Sequence, residues 1–216
     1  MASNQGRLLE PRKRPVQARS EVTVEALFEA SIQVLLAVGY RKLTTTRVAE
    51  RAGVSVGTLY QYFPNRQALI ASVIERYLQE IVSAVEHACE RLEGRPLDEL
   101  AAGLVEAFIA AKWKRIDISR AMQEPLADVG GAKLVKATAI RAAGFIASVL
   151  RSCRDASFQD EHLVGLFVGM ASSSLLQTAI ADPTNSIEMD VLRAHMRAMV
   201  LGYLRQMQLR ELEARP

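Results

Sequence analysis

Between Thr45 and Phe63 the chain reads TTRVAERAGVSVGTLYQYF, and this spacing leaves few folds open. Two short helical segments stand either side of a glycine. Helices that cross steeply over so short a turn need a small residue where they touch, and Ala49 supplies it. The turn needs a residue that tolerates positive φ, and Gly53 supplies that. Val48, Ala52, Val54 and Leu59 are then the apolar contacts that lock a helix-turn-helix together. The first helix is predicted over Thr45–Ala52, with a cap from the run Thr44-Thr45-Thr46, and the second over Val56–Phe63, with Ser55 as its cap.

The flanking sequence is helical too. Val24, Leu27, Ser31, Val34, Leu35 and Val38 recur at helical spacing over Glu21–Val38, and Gly39 follows where a helix stops. Asn65 is placed to cap a long helix from Arg66 to about Leu92, closed by Gly94 and Pro96. Further helices are predicted over Leu97–Arg115, Ile118–Ala127, Lys133–Arg154, Gln159–Ala181 and Ile187–Glu211. No segment of useful length alternates as a strand would. The expected fold class is all-α: an N-terminal three-helix helix-turn-helix domain joined by a long helix to a C-terminal helical bundle. The predicted boundaries are a flexible basic arm over 1–20, the helix-turn-helix domain over 21–66 and a helical domain over 67–216.

Charge follows the same division. Residues 1–66 hold 10 Lys and Arg against 5 acidic residues, whereas the rest of the chain holds 17 against 19. A basic first third is what a module facing a polyanion requires. Cys89 and Cys153 are too few for a disulfide scaffold and lack metal or redox spacing, so a reduced, cytoplasmic setting is expected. The N-terminal residues are basic with no apolar run behind them, unlike a secretory signal. Leu163–Ala181 carries no charged residue, but Ser172, Ser173, Ser174, Gln177 and Thr178 suit a buried bundle helix better than lipid, and no membrane partner is expected.

The second helix of the motif carries the chemistry. Gly57 removes side-chain bulk near its start, while Thr58, Tyr60, Gln61 and Tyr62 present hydroxyls and an amide. A helix of this size fits the major groove, where Gln pairs with adenine and Thr meets a thymine methyl. Arg47 and Arg66 sit at helix starts, placed to reach phosphates, and the helix N-termini at Thr45 and Val56 add backbone donors. Phe63 reads as core, and Tyr62 as either core or contact.

Residues 21–70, above all TTTRVAERA at 44–52 followed by GVSVGTLYQYFPNRQAL at 53–69, resemble the DNA-binding domain of the tetracycline-repressor (TetR) family of bacterial transcription regulators. The resemblance implies phosphate or base contacts from Thr45, Arg47, Ser55, Gly57, Thr58, Tyr60, Gln61, Tyr62 and Arg66. Arg66 stands where the family often has Lys, an exchange that keeps the charge. It also implies a homodimer on a double-stranded DNA operator. A small ligand bound among the C-terminal helices then shifts the two DNA-binding heads out of register.

In the C-terminal part Gly165, Gly169 and Ser173 recur every four residues as a small-residue stripe, and Leu192, Met196, Met199 and Tyr203 recur along the last helix. With the resemblance, both read as a four-helix dimer interface; without it, both are equally ordinary intrachain core. A ligand pocket is expected around Phe108, Trp113, Met122, Gln123 and Phe145, with Ser119 and Thr138 as further polar candidates, although each of these also reads as core.

An enzyme is not expected. His87, His162 and His195 lie on separate predicted helices, no hydrolase, zinc-protease or phosphate-loop motif is present, and Cys89 cannot face His87 two positions away on a helix. No cofactor and no metal are expected. A ligand-free architectural DNA binder is the other alternative, disfavoured by the length of apolar helical sequence after the motif.

Overall fold

A computed structural model describes residues 18–181 and 187–214, and every regular element among them is helical. Most of the predicted basic arm, residues 1–17, lies outside the described residues. The elements are α1 (Ala18–Val38), a short 3-10 turn (Tyr40–Lys42), α2 (Thr45–Ala52), α3 (Val56–Tyr62), α4 (Arg66–Leu92), α5 (Leu97–Trp113), α6 (Ile116–Ala121), α7 (Gln123–Asp128), α8 (Ala132–Arg151), α9 (Glu161–Ala181) and α10 (Met189–Ala214). The helix predicted over Ile118–Ala127 is two helices divided at Met122. The reason is Pro125, which has no N–H to return to Ala121 and whose ring would strike that carbonyl; it is tolerated only in the first turn of a new helix.

The chain forms two compact units, 1–77 with 120–133 and 78–119 with 134–216. The first therefore runs well past Arg66. Three turns into α4, the Arg76 guanidinium still pairs with Glu25 of α1 and stacks 5.1 Å from the Phe28 ring, so these turns belong to the head. Leu27, Leu43, Val48, Leu59 and Phe63 are buried in this unit, and Phe28 packs on Phe63 with ring centroids 5.9 Å apart. Arg120–Lys133 joins it through Tyr40, whose hydroxyl donates to the Asp128 carboxylate, and Arg41, whose Nε is 2.8 Å from Glu124.

In the second unit α5 packs on α10 and α9, around Leu100, Leu104, Phe108, Val168, Leu176, Met196 and Val200. Helix starts here borrow caps from distant residues. The Leu97 N–H donates to Asp155 Oδ1 at 2.8 Å, and this bond holds the Asp155 carboxyl below its usual range. The exposed pairs Arg193–Glu106 and Arg205–Asp98 tie α10 to α5 but contribute little, because water screens them. By length and hydropathy α9 is the one described helix able to cross a membrane, yet Val164, Val168, Leu176 and Ile180 on one side of it are buried within the unit.

The glycine stripe has an intrachain cause. A Cβ on Gly165 would sit 2.9 Å from the Ala143 carbonyl oxygen and 3.2 Å from the Ala147 nitrogen of α8, so backbone meets backbone there. Gly169 faces Ile146 and Phe108 at ordinary contact distance. Leu192 and Met196 are buried in the same core. Gly165, Gly169, Leu192 and Met196 are thus packed within their own chain. Met199 and Tyr203 are only half-buried, and Ser173 is half-buried with its carbonyl facing Lys112.

Gly165→Ala is expected to lower stability by about 1–2 kcal/mol in spite of its better helix propensity. The control Gly144→Ala, on the same pair of helices but with open space around it, is expected to raise stability by about 0.5–1 kcal/mol. Thermal unfolding of the two variants checks the pair.

Lys112 of α5 is buried and has no carboxylate partner among the described residues; burial alone lowers its amine to about 8. Between about 8 and the ordinary lysine range the unfolded chain therefore binds more protons than the folded one, so stability should rise with pH through that window. Lys112→Met is expected to stabilise the chain by about 1–3 kcal/mol at pH 7. That advantage should shrink as pH rises above about 8, read from denaturant unfolding across pH.

Candidate nucleic-acid interface

Each helix of the motif is begun by a side chain and ended by the backbone. Thr44 Oγ1 accepts from the Arg47 N–H, Ser55 Oγ from the Thr58 N–H at 3.0 Å, and Asn65 Oδ1 from the Ala68 N–H at 2.8 Å. Gly53, at φ 69°, closes α2, and the Ala49 carbonyl accepts from the N–H groups of both Gly53 and Val54. This turn fixes how α3 leaves α2.

The two faces of α3 are then divided. Leu59 and the following Phe63 are buried, whereas Tyr60 is 41% exposed, and Gly57 and Gln61 are exposed beside it. Thr58 and Tyr62 lie at the margin, half-buried. Thr45 at the start of α2 joins this face, because its hydroxyl is 3.2 Å from the Tyr60 hydroxyl across fifteen positions. Ser55 and Thr58 hydroxyls are linked at 2.8 Å. Arg47 is exposed, with one guanidinium nitrogen donating to the Lys42 carbonyl at 3.1 Å. Thr45, Arg47, Ser55, Gly57, Thr58, Tyr60, Gln61 and Tyr62 are all carried by the two motif helices and the turn between them.

Arg66 departs from this set. Its Nε donates to the Leu43 carbonyl at 2.9 Å and a terminal nitrogen to the Tyr40 carbonyl at 2.6 Å, with the guanidinium 4.1 Å above the Tyr40 ring. Those donors close the loop between α1 and α2. Only the planar fork of Arg reaches both carbonyls while stacking, which a Lys cannot do. Tyr40 is the residue that sequence reasoning missed: buried, bonded to Asp128 and beside Arg66, with its phenol pushed up to about 12 by desolvation and the Asp128 bond. Nothing in the local sequence marks it, since its partners are remote.

Gly57 is not demanded by the fold. A Cβ there would meet only Ser55 Oγ, at 3.6 Å.

The residues expected to line a ligand pocket fall in different units. Met122 and Gln123 are in the first, with Met122 buried and Gln123 half-buried; Phe108, Trp113 and Phe145 are in the second. There Phe108 is core, Phe145 is half-buried against it, and Trp113 at the end of α5 is exposed. In the first unit α1 and α2 enclose a shallow recess of about 370 Å³ bordered by Gln33, Val34, Arg47, Glu50 and Arg51. Cys89 is buried, its thiol pushed up to about 12 by desolvation and the neighbouring Glu86 and Glu90, so it is no nucleophile at neutral pH. Among the described residues no cluster of His, Cys, Asp or Glu could hold a metal.

A short, half-exposed helix set by a glycine turn against a capped partner helix defines the class of helix-turn-helix DNA-binding proteins. Comparison with known proteins agrees. Residues 27–73 match the family model of bacterial regulatory proteins of the tetR family, and residues 96–204 match the tetracycline-repressor-like C-terminal domain. A helix-turn-helix transcriptional regulator of Mycobacterium tuberculosis is 36% identical over 76 residues, 33% of this chain and 39% of its own length. The transcriptional repressor KstR of Mycolicibacterium smegmatis is 36% identical over 62 residues, 29% of this chain and 30% of its own. The matched segment thus spans less than half the length of these relatives. A TetR-family regulator structure from Mesorhizobium loti superposes with a TM-score of 0.68 at 18% identity, covering 88% of this chain and 98% of the other. The chain belongs to the TetR family, a family of DNA-binding transcriptional regulators rather than enzymes.

Gly57→Ala is expected to raise the thermal stability of the protein slightly, by about 0.5–1 kcal/mol, because the fold leaves room for the methyl and a helix prefers Ala. Loss of stability would mean that the glycine serves the fold itself.

Proposed function

We propose that this protein is a repressor that binds a pseudo-palindromic operator as a homodimer and leaves it when a small, largely apolar ligand binds among the helices of its second unit. The observation that carries the DNA-binding part is the division of α3 into a buried side, Leu59 with Phe63 beyond it, and an open polar side, Tyr60 and Gln61. A helix with one bare polar face matches the width of the major groove, and a Gln there pairs with both N6 and N7 of an adenine. Gly57 lets the backbone near the start of α3 come close, while Thr45, Arg47, Ser55, Thr58 and Tyr62 surround it with hydroxyl, amide and guanidinium donors for bases or phosphates. Arg66 has a different task in this reading: it holds the α1–α2 loop from which those donors extend.

Dimer formation is supported by the outer side of α9 and α10. Leu163, Phe167 at 56% and Met170 at 55% exposure follow one another at helical spacing on α9, and Phe167 meets Tyr203 of α10 with centroids 6.1 Å apart. A large apolar patch of this kind is what an isologous contact covers. The glycine stripe is turned the other way, so the partner would meet Phe167 and Met170 instead.

Release requires a ligand that favours one arrangement of the head over another, since equal affinity for both shifts nothing. Arg120–Lys133 supports such a route: the chain leaves the second unit there, bonds to Tyr40 and Arg41 of the head through Asp128 and Glu124, and returns. Repression as the sign of regulation is supported by KstR, which is named a transcriptional repressor.

The test is a gel shift against DNA upstream of the gene itself and its neighbours, with excess non-specific competitor. A discrete band that resists competitor is expected. The triple change Thr58→Ala, Tyr60→Ala, Gln61→Ala should weaken it by more than about a hundredfold, given about 1–3 kcal/mol per good base contact, while helical content and dimer mass stay the same. Unaltered operator binding by the triple variant would remove α3 as the reading helix.

A further inference from the structure

Lys112 is the single buried charged side chain among the described residues, 5% exposed, and it has no carboxylate beside it there. An ammonium has three donors. In this structure Nζ donates to Gln177 Oε1 at 3.0 Å and, loosely, to the Ser173 carbonyl at 3.4 Å, both on α9. One N–H and the whole positive charge remain unanswered.

The residue before Ser173 carries a second unanswered donor. Ser172 is fully buried and its hydroxyl has no hydrogen-bond partner among the described residues. A helical hydroxyl ordinarily satisfies itself on the carbonyl four residues back, as Thr178 does on Ser174 and Ser31 on Leu27. Leaving it bare costs free energy, as does an uncompensated cation, and native cores keep few of either. One turn before these residues on each helix the surroundings are apolar: Phe108 on α5, and Gly169 on α9 facing Phe108 and Ile146.

We propose that Lys112 and Ser172 are the anchor for the carboxylate of an otherwise apolar monoanionic effector. Two donors and one positive charge call for an acceptor with two oxygens and one negative charge. An alcohol or amide would meet one donor and leave the cation buried and unpaired; a dianion would bring a second charge that nothing here balances. The carboxylate takes the free N–H of Lys112 on one oxygen and the Ser172 hydroxyl on the other, and the hydrocarbon extends toward Phe108 and Ile146. This inference rests on the reading of the second unit as the effector domain. The low position of the Lys112 amine, near 8, fits a cation waiting for its counter-charge.

The experiment is calorimetric titration of the full chain at pH 7 with octanoate, decanoate and dodecanoate, and with decan-1-ol as the uncharged match to decanoate. Wild-type protein should bind decanoate roughly tenfold to a hundredfold tighter than decan-1-ol, the worth of a charge-assisted hydrogen bond. Lys112→Met should abolish that preference while still binding the alcohol, and Ser172→Ala should reduce it. Equal binding of acid and alcohol by the wild type, a preference retained in Lys112→Met, or no binding of any of the three carboxylates would each overturn the anchor. Gel shifts on the same samples separate this from the regulator reading. Free operator affinity should be the same in all variants, and decanoate should release the operator from wild type but not from Lys112→Met. Decanoate bound without release would keep the anchor and overturn release by an effector. No carboxylate bound with the operator still held would overturn the anchor and leave DNA binding standing.

Discussion

The backbone carbonyl of Ala49 accepts two N–H groups, from Gly53 and Val54, and the methyl of the same residue is fully buried. Together these fix both the direction and the closeness with which α3 leaves α2. A larger side chain at Ala49 would push the helices apart, and a residue other than glycine at Gly53 would be strained at its positive φ. Every polar group on the open side of α3 inherits its position from that one joint. The capping hydroxyls of Thr44 and Ser55 sharpen the arrangement but do not create it.

Around that joint, longer-range contacts hold the α1–α2 loop. Arg66 closes the α1–α2 loop from the far side, and Tyr40, whose ring lies beneath that guanidinium, donates in turn through its hydroxyl to Asp128. A cation that sequence alone would send to a phosphate thus gives two of its donors to backbone carbonyls. The same contacts tie the residues that carry α2 to a segment far along the chain.

The second unit follows a different logic. Its core is held by apolar burial between α5, α9 and α10, and Gly165 permits α8 to approach at backbone distance. Into this otherwise ordinary interior are set a lysine and a serine that have, among the described residues, no counter-charge and no acceptor respectively. Both are donors, and they lie on facing helices within one region, which is the form a recognition feature takes when its ligand is the missing acceptor.

What the sequence determined by itself was local. The limits of α2 and α3, the caps at Thr44, Ser55 and Asn65 and the turn at Gly53 depend on residues only a few positions apart, so the string of letters contains all the partners. The absence of strand alternation likewise settled the helical class. Tertiary structure decided what depends on remote partners. It turned the Gly165 stripe inward against α8 and left Phe167 and Met170 outside, because helical spacing marks an apolar face without saying which neighbour takes it. It carried the head into α4 as far as Arg76, through contacts with Glu25 and Phe28. It drew Arg66 to the carbonyls of Tyr40 and Leu43, and it buried Lys112, which in the sequence is one charge of the cluster Lys112-Trp113-Lys114-Arg115, readable equally as an anion site or a solvated helix end. A charged side chain's fate is set by which helices converge on it, and convergence is a property of the packed chain alone.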